Sequence, residues 1–193
     1  MTLRLIRLHL IGHRTGQTVG LLLLAAVVLR AVKPWTGTGA GMFGVLILLL
    51  LAAAAAVVIA VSTRNPLGEL ERTAATHLPS LRLLHLMPLI TAACAAYELA
   101  ALTGQVSGGS AVLQRNLLGL TGISLLAAVT LGAQSSWIPP LGYVVICGGA
   151  LDRQEYSIWT WLTLPPRTDA TLAALALLAA GLLSATLHGV RRP

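Results

Sequence analysis

The chain has 193 residues, 56% of them hydrophobic and only 10% charged, with a mean hydropathy of +0.82. That composition excludes an ordinary soluble globular domain and points to a polytopic α-helical membrane protein with no soluble domain of its own. The net charge is +7, but the basic residues gather at the ends of apolar runs and no basic stripe interleaves with aromatics, so orientation in an anionic bilayer accounts for them and nucleic-acid binding is not expected.

Taken in order, residues 1–16 read MTLRLIRLHLIGHRTG. At about 100° per residue Arg4, Arg7 and Arg14 share one sector, flanked by Leu3, Ile6 and Leu10 on one side and Leu5 and Leu8 on the other. Ile11 falls among the arginines and His9 opposite them. The spacing predicts a basic amphipathic helix in the headgroup layer; the alternative is that these are the first turns of the first span. No cleavable signal peptide is expected, because the first apolar run starts far from Met1.

Six apolar runs follow, at residues 18–32, 42–62, 83–103, 111–133, 138–151 and 170–190. Runs of about 20 apolar residues are long enough for the roughly 30 Å hydrocarbon layer. Lys33, Pro34 and Trp35 are expected to close the first. Arg115 lies near the start of the fourth, and the fifth opens with Pro139-Pro140 and is short for a span. The expected architecture is all-α, one transmembrane domain over residues 1–193. With both termini on one side, that side carries eight Lys and Arg against five on the other, which favours cytoplasmic termini.

The longest polar interruption is Asn65 to Met87, NPLGELERTAATHLPSLRLLHLM. Asn65 suits a helix cap and Pro66 the first helical position. Glu69 and Glu71 fall where the helix dipole favours negative charge. Leu67, Leu70 and Ala74 share a face that Leu78 continues, and Pro79 is expected to end the helix. The reading is a cytoplasmic docking helix over residues 65–79, with Leu67, Glu69, Leu70, Glu71, Arg72 and Ala74 as its contact residues. The alternative is a helix lying on the membrane. Beyond it, Arg82 to His85 is a basic approach to the third span. Residues 152–169, DRQEYSIWTWLTLPPRTD, are too polar at their start for lipid and too apolar around Trp159 and Trp161 for water. They read either as a re-entrant or interfacial hairpin or as an outer loop carrying an aromatic belt.

Candidate chemistry is sparse. Gly39, Gly41 and Gly44 satisfy G-x-G-x-x-G, but no strand or βαβ unit surrounds them. No phosphate-binding G-x-x-x-x-G-K-[ST] occurs and Lys33 is the only lysine, so ATP-driven work needs another subunit. Ser110 and His188 could suggest a serine protease, yet the topology sets them at opposite faces, out of the roughly 3 Å reach that nucleophile and base require. No metal-ligating cluster is expected. The two cysteines, Cys94 and Cys147, sit in separate apolar runs and read as packing residues. Glu98 lies in an apolar run and is expected to pair with Arg30 at similar depth, or else to face a substrate.

An amphipathic N-terminal helix, six spans, a polar helix between the second and third, and an aromatic segment before the last together resemble a type-2 ABC exporter permease. NPLGELERTA, LPSLRLLHL and RNLLGLTGISLLAAVTLGAQSSWIPPLGY are similar to small Ala/Leu-rich permease-like proteins of actinobacteria. The resemblance implies an N-terminal elbow helix, a coupling helix at residues 65–79, and a bacterial plasma-membrane location. It implies an ABC ATPase subunit that carries ATP and magnesium, and a second copy or sister permease. The chain itself would hold no cofactor, metal or catalytic residue and would be no enzyme. Its cargo would be an apolar or amphipathic peptide, antibiotic or lipid. The competing reading is a non-transporting scaffold, regulatory or immunity-type partner of another membrane complex.

Overall fold

The computed structural model describes residues 15–36, 41–63, 78–101, 109–153 and 160–188. The expected elbow helix and nearly all of the expected coupling helix, with Leu67, Glu69, Leu70, Glu71, Arg72 and Ala74, lie outside them, as does Trp159. Among the described residues every regular element is helical: α1 (Thr15–Thr36), α2 (Gly41–Ser62), α3 (Leu78–Ala101), α4 (Gly109–Leu131), a short 3₁₀ turn (Ala133–Ser135), α5 (Ile138–Asp152) and α6 (Thr168–His188).

Four of these are long and apolar enough to cross a membrane: Gly41–Ser62, Arg82–Ala101, Gly109–Leu131 and Thr168–His188. In α1 the apolar stretch Gly16–Val32 is shorter. The fifth element, α5, has 15 residues, or roughly 22 Å at 1.5 Å per residue, less than a hydrocarbon core. Pro139 and Pro140 occupy its first turn, where a missing N–H costs no helical bond. Two boundaries differ from the sequence reading. Helix α1 continues through Pro34 to Thr36. Pro79 stands in the first turn of α3, so this proline opens a helix.

Helix α4 is the centre of the bundle. It packs on α2, α3, α5 and α6, and 67% of its most apolar window is buried, against 28% for α6. Its closest neighbour is α6, and the reason is glycine. A Cβ on Gly122 would stand 2.4 Å from the backbone carbonyl of Leu177, and one on Gly181 would stand 2.6 Å from the Gly122 oxygen. The two backbones therefore touch, with small residues at the crossing and no side chain between them, as is common where apolar solvent gives helices no hydrophobic reason to associate. Helix α4 ends at Gly132, whose φ of 92° takes the chain into the 3₁₀ turn.

Helix α2 packs through alanine. Ala52, Ala53, Ala55, Ala56 and Ala60 are all buried, with Leu49 and Ile59 among them. Tyr97 of α3, fully buried, donates its hydroxyl proton to the Leu51 carbonyl at 2.7 Å, which satisfies the only polar atom that ring carries inward. Helix α1 contributes a narrow stripe, Thr18, Leu22 and Leu29, while Leu21, Leu23, Leu24 and Val27 face outward.

The glycine crossing gives a direct test. Gly122→Ala is expected to destabilise the bundle by about 1–3 kcal/mol, because the added carbon meets backbone that cannot rotate away. Gly142→Ala on the open face of α5, where a Cβ meets nothing within 4 Å, is expected to leave stability unchanged or slightly raised. Thermal unfolding of the two purified variants in detergent measures the difference.

Candidate functional site

Three consecutive polar residues stand near the start of α4: Gln114, Arg115 and Asn116. Gln114 faces one neighbour, and Arg115 and Asn116 together face another. Gln114 donates its Nε2 protons to the Cys94 carbonyl at 2.7 Å and to the Glu98 carboxylate at 3.2 Å, both on α3. Arg115 and Asn116 turn the other way, into the segment 160–167 that precedes α6.

That segment is irregular backbone, buried at Thr160, Trp161, Leu162 and Leu164 and exposed from Pro165 onward. Thr163 and Leu164 donate their amides back to the carbonyls of Thr160 and Trp161 at 2.9 and 3.3 Å, closing a tight turn. The carbonyls of Leu162, Leu164 and Pro165 take no part in these turn bonds. Buried carbonyls without donors cost free energy, more so where water is excluded. Arg115 supplies the donors. Its Nη1 donates to Pro165 O at 3.1 Å, and its Nη2 donates to Leu164 O at 2.9 Å and Leu162 O at 3.3 Å. Its Nε donates to Asn116 Oδ1 at 3.2 Å, and Asn116 Nδ2 donates to Leu162 O at 3.0 Å. The guanidinium is only 3% exposed. A planar fork of five N–H donors can serve several carbonyls at once, which an ammonium cannot do with the same geometry.

Trp161 completes the latch. Its ring lies 6.0 Å from the Arg115 Cζ, at the outer limit of a cation–π contact, and 6.1 Å from the Tyr143 ring of α5. Its far edge fills the notch left by Gly119, where a Cβ would come within 2.1 Å of the indole. Trp161 is 4% exposed and Leu162 is 1% exposed, so this tryptophan does not belong to an exposed aromatic belt.

Beside the latch is a groove of about 460 Å³. Val45, Leu48 and Leu49 of α2 form one wall and Val112 and Leu113 of α4 another. Thr163, Pro165 and Arg167 stand at its polar end. Arg167 meets Asp169 at 3.2 Å, and the other Asp169 oxygen accepts the Ala170 amide at 2.9 Å in the first turn of α6. At the opposite end of the bundle, Arg82 donates to the Thr186 carbonyl at 3.2 Å, tying the start of α3 to the end of α6. There the buried His85 Nε2 lies 3.4 Å from Ser62 Oγ, joining α3 to the end of α2.

The other residues expected from sequence are placed as follows. Glu98 accepts from Gln114 of α4, and Arg30 is exposed on α1. The reason is register: Gln114 falls beside the last turns of α3, where its amide reaches both a carbonyl and the carboxylate. Ser110 begins α4 and His188 ends α6. These helices run parallel, because the segment leading into α6 is held at the start of α4. The two residues are therefore at opposite ends of the bundle. Cys94 and Cys147 are free thiols on different helices. Sequence reading missed the latch by treating Arg115 as a topology charge; a signal was present in Gln114-Arg115-Asn116, three strongly polar residues inside an apolar run.

No family model, curated protein or solved structure matches the chain.

Replacing Arg115 by Met keeps much of the volume and removes the donors to the buried Leu164 carbonyl and to the more exposed Pro165 carbonyl, while Leu162 keeps the Asn116 amide. Stability is expected to fall by about 3 kcal/mol or more, and Trp161 fluorescence, in a variant whose other tryptophans are replaced, is expected to shift to the red. Arg115→Lys is expected to restore only part of the loss. Thermal melting and emission spectra of the purified proteins check both.

Proposed function

We propose that this chain is the permease subunit of a type-2 ABC exporter in a bacterial plasma membrane, with six membrane-crossing helices and both termini in the cytoplasm. Four helices supply spans by length and composition. Helix α1, at 22 residues, and the short α5 complete the set, α5 with local thinning of the bilayer of the kind that short spans induce. The observation that carries the reading is the latched segment 160–165. Irregular backbone is tolerated at membrane depth only where protein or a water-filled cavity satisfies it, and here an arginine is spent on holding it directly ahead of the last long helix. A re-entrant segment in that position is the feature that the type-2 resemblance implies.

In this reading ATP and magnesium are bound by a separate ATPase subunit docked on residues 65–79. A second copy or a sister permease completes the path, and the cargo is an apolar or amphipathic molecule. The chain binds no nucleotide and carries no catalytic residue. Its spans offer no obvious ion relay, so the work is done by tilting helices around the path as the ATPase closes.

Co-expression of the chain with the ATPase candidates of its own genome tests this. An ATP-binding subunit is expected to co-purify, and the double change Leu67→Asp and Leu70→Asp is expected to weaken that association by at least about tenfold, from the loss of two buried leucines. Purification without any ATP-binding subunit, or association that survives both changes, overturns the coupling-helix reading. Isolation instead with a different membrane complex supports the scaffold or immunity-type alternative.

A further inference from the structure

The groove beside the latch has features that the latch does not use. Its walls are Val45, Leu48 and Leu49 on α2 and Val112 and Leu113 on α4, with the Asn116 amide, already engaged on the Leu162 carbonyl, also lining it. Its volume of about 460 Å³ lies within the roughly 300–1,000 Å³ of pockets that hold drug-sized molecules. The charged residue of its lining is Arg167. Arg115 stands behind the lining, on the Leu164 and Pro165 carbonyls, so among the described residues two guanidiniums face one carboxylate, Asp169, which is paired with Arg167, and one positive charge is in excess.

The two arginines are not equivalent. Arg115 is turned onto backbone carbonyls and Asn116. Arg167 is 59% exposed and, among the described residues, pairs with Asp169, itself 42% exposed, a pairing that contributes little at such exposure. Asp169 is held besides by the Ala170 amide at the start of α6. The Arg167 guanidinium is thus available at the mouth of an apolar slot. The slot lies at the end of the bundle where α2, α4 and α6 begin, which for helices that cross a bilayer is the headgroup level. Met42 and Phe43, in the same first turn of α2, are exposed, so the rim continues into an apolar outer surface.

We propose that this groove holds one acyl chain of an anionic phospholipid of the bilayer, laid between α2 and α4, with its phosphate at Arg167. The apolar walls select a hydrocarbon chain, and the excess positive charge selects an anionic headgroup over a zwitterionic one. The site does not depend on the transport reading; it binds lipid whether or not the chain moves a cargo.

Photolabelling in vesicles tests it. The purified chain is reconstituted in phosphatidylcholine containing a trace of phosphatidylglycerol with a diazirine in one acyl chain, or of the matching phosphatidylcholine probe, and the adducts are mapped by mass spectrometry. Label is expected on residues 45–49 and 112–116, with phosphatidylglycerol favoured by about fivefold, the effect of one basic residue at an anionic membrane surface. Arg167→Gln, a change on an exposed side chain, is expected to abolish the preference, and Arg167→Lys to keep it. Val112→Trp is expected to reduce groove labelling by both probes, while Leu172→Trp on the exposed face of α6 leaves it unchanged. Equal labelling by the two probes overturns the proposal. So does groove labelling no stronger than that of the exposed α1 peptide carrying Leu23, Leu24 and Val27, or a preference that survives Arg167→Gln.

Discussion

An arginine buried in an apolar bundle can persist only if its donors are occupied, and the way Arg115 meets that requirement organises the rest of this structure. A lone ion in such surroundings costs several kcal/mol even after relaxation. Here the guanidinium faces three backbone carbonyls and an amide oxygen, all within 3.3 Å. The dependence runs both ways. The carbonyls of Leu162 and Leu164 need donors because their part of the segment is irregular and buried, and the arginine needs acceptors because its helix is central. Neither the segment nor the arginine is stable there without the other. The latch thereby sets where α6 begins, and with it the parallel course of α4 and α6.

Once α6 is started at that point, the glycines decide how closely it lies on α4. Gly122 and Gly181 bring backbone to backbone, and Gly119 opens the notch for the Trp161 ring. On the other side of α4, Gln114 ties α3 by a carbonyl and a carboxylate. Helix α4 therefore carries two kinds of contact: polar clamps near its start, and a close small-residue crossing farther along. The far end of the bundle is closed separately by Arg82 on the Thr186 carbonyl and by His85 against Ser62. Between those ends, apart from the glycine crossing and the Tyr97 hydroxyl on the Leu51 carbonyl, the contacts are largely leucine and alanine, which fit many registers. The polar clamps remove that ambiguity, a use of buried polar groups analogous to the registry role they have in coiled coils.

The amino-acid sequence by itself determined the class of the molecule. Apolar runs of span length, 10% charge and prolines at helix starts are local properties, and they made the helices and the brevity of α5 legible without tertiary information. Helix boundaries were less so at Pro34, which lies inside the last turn of α1, and at Pro79, which lies in the first turn of α3, because a proline near a helix end marks the boundary only to within a turn. What only the tertiary structure decided is partnership. Arg115 and the Leu162–Pro165 carbonyls are far apart in the chain, and the carbonyls belong to every residue alike, so no pattern of side chains announces them as acceptors. Glu98 illustrates the same limit: nothing in the sequence pairs it with Gln114, whose amide reaches it only through the rotation of α3 against α4. Composition and periodicity report which surfaces avoid water. Which polar group meets which depends on helix rotation and register, and those exist only once the helices are packed.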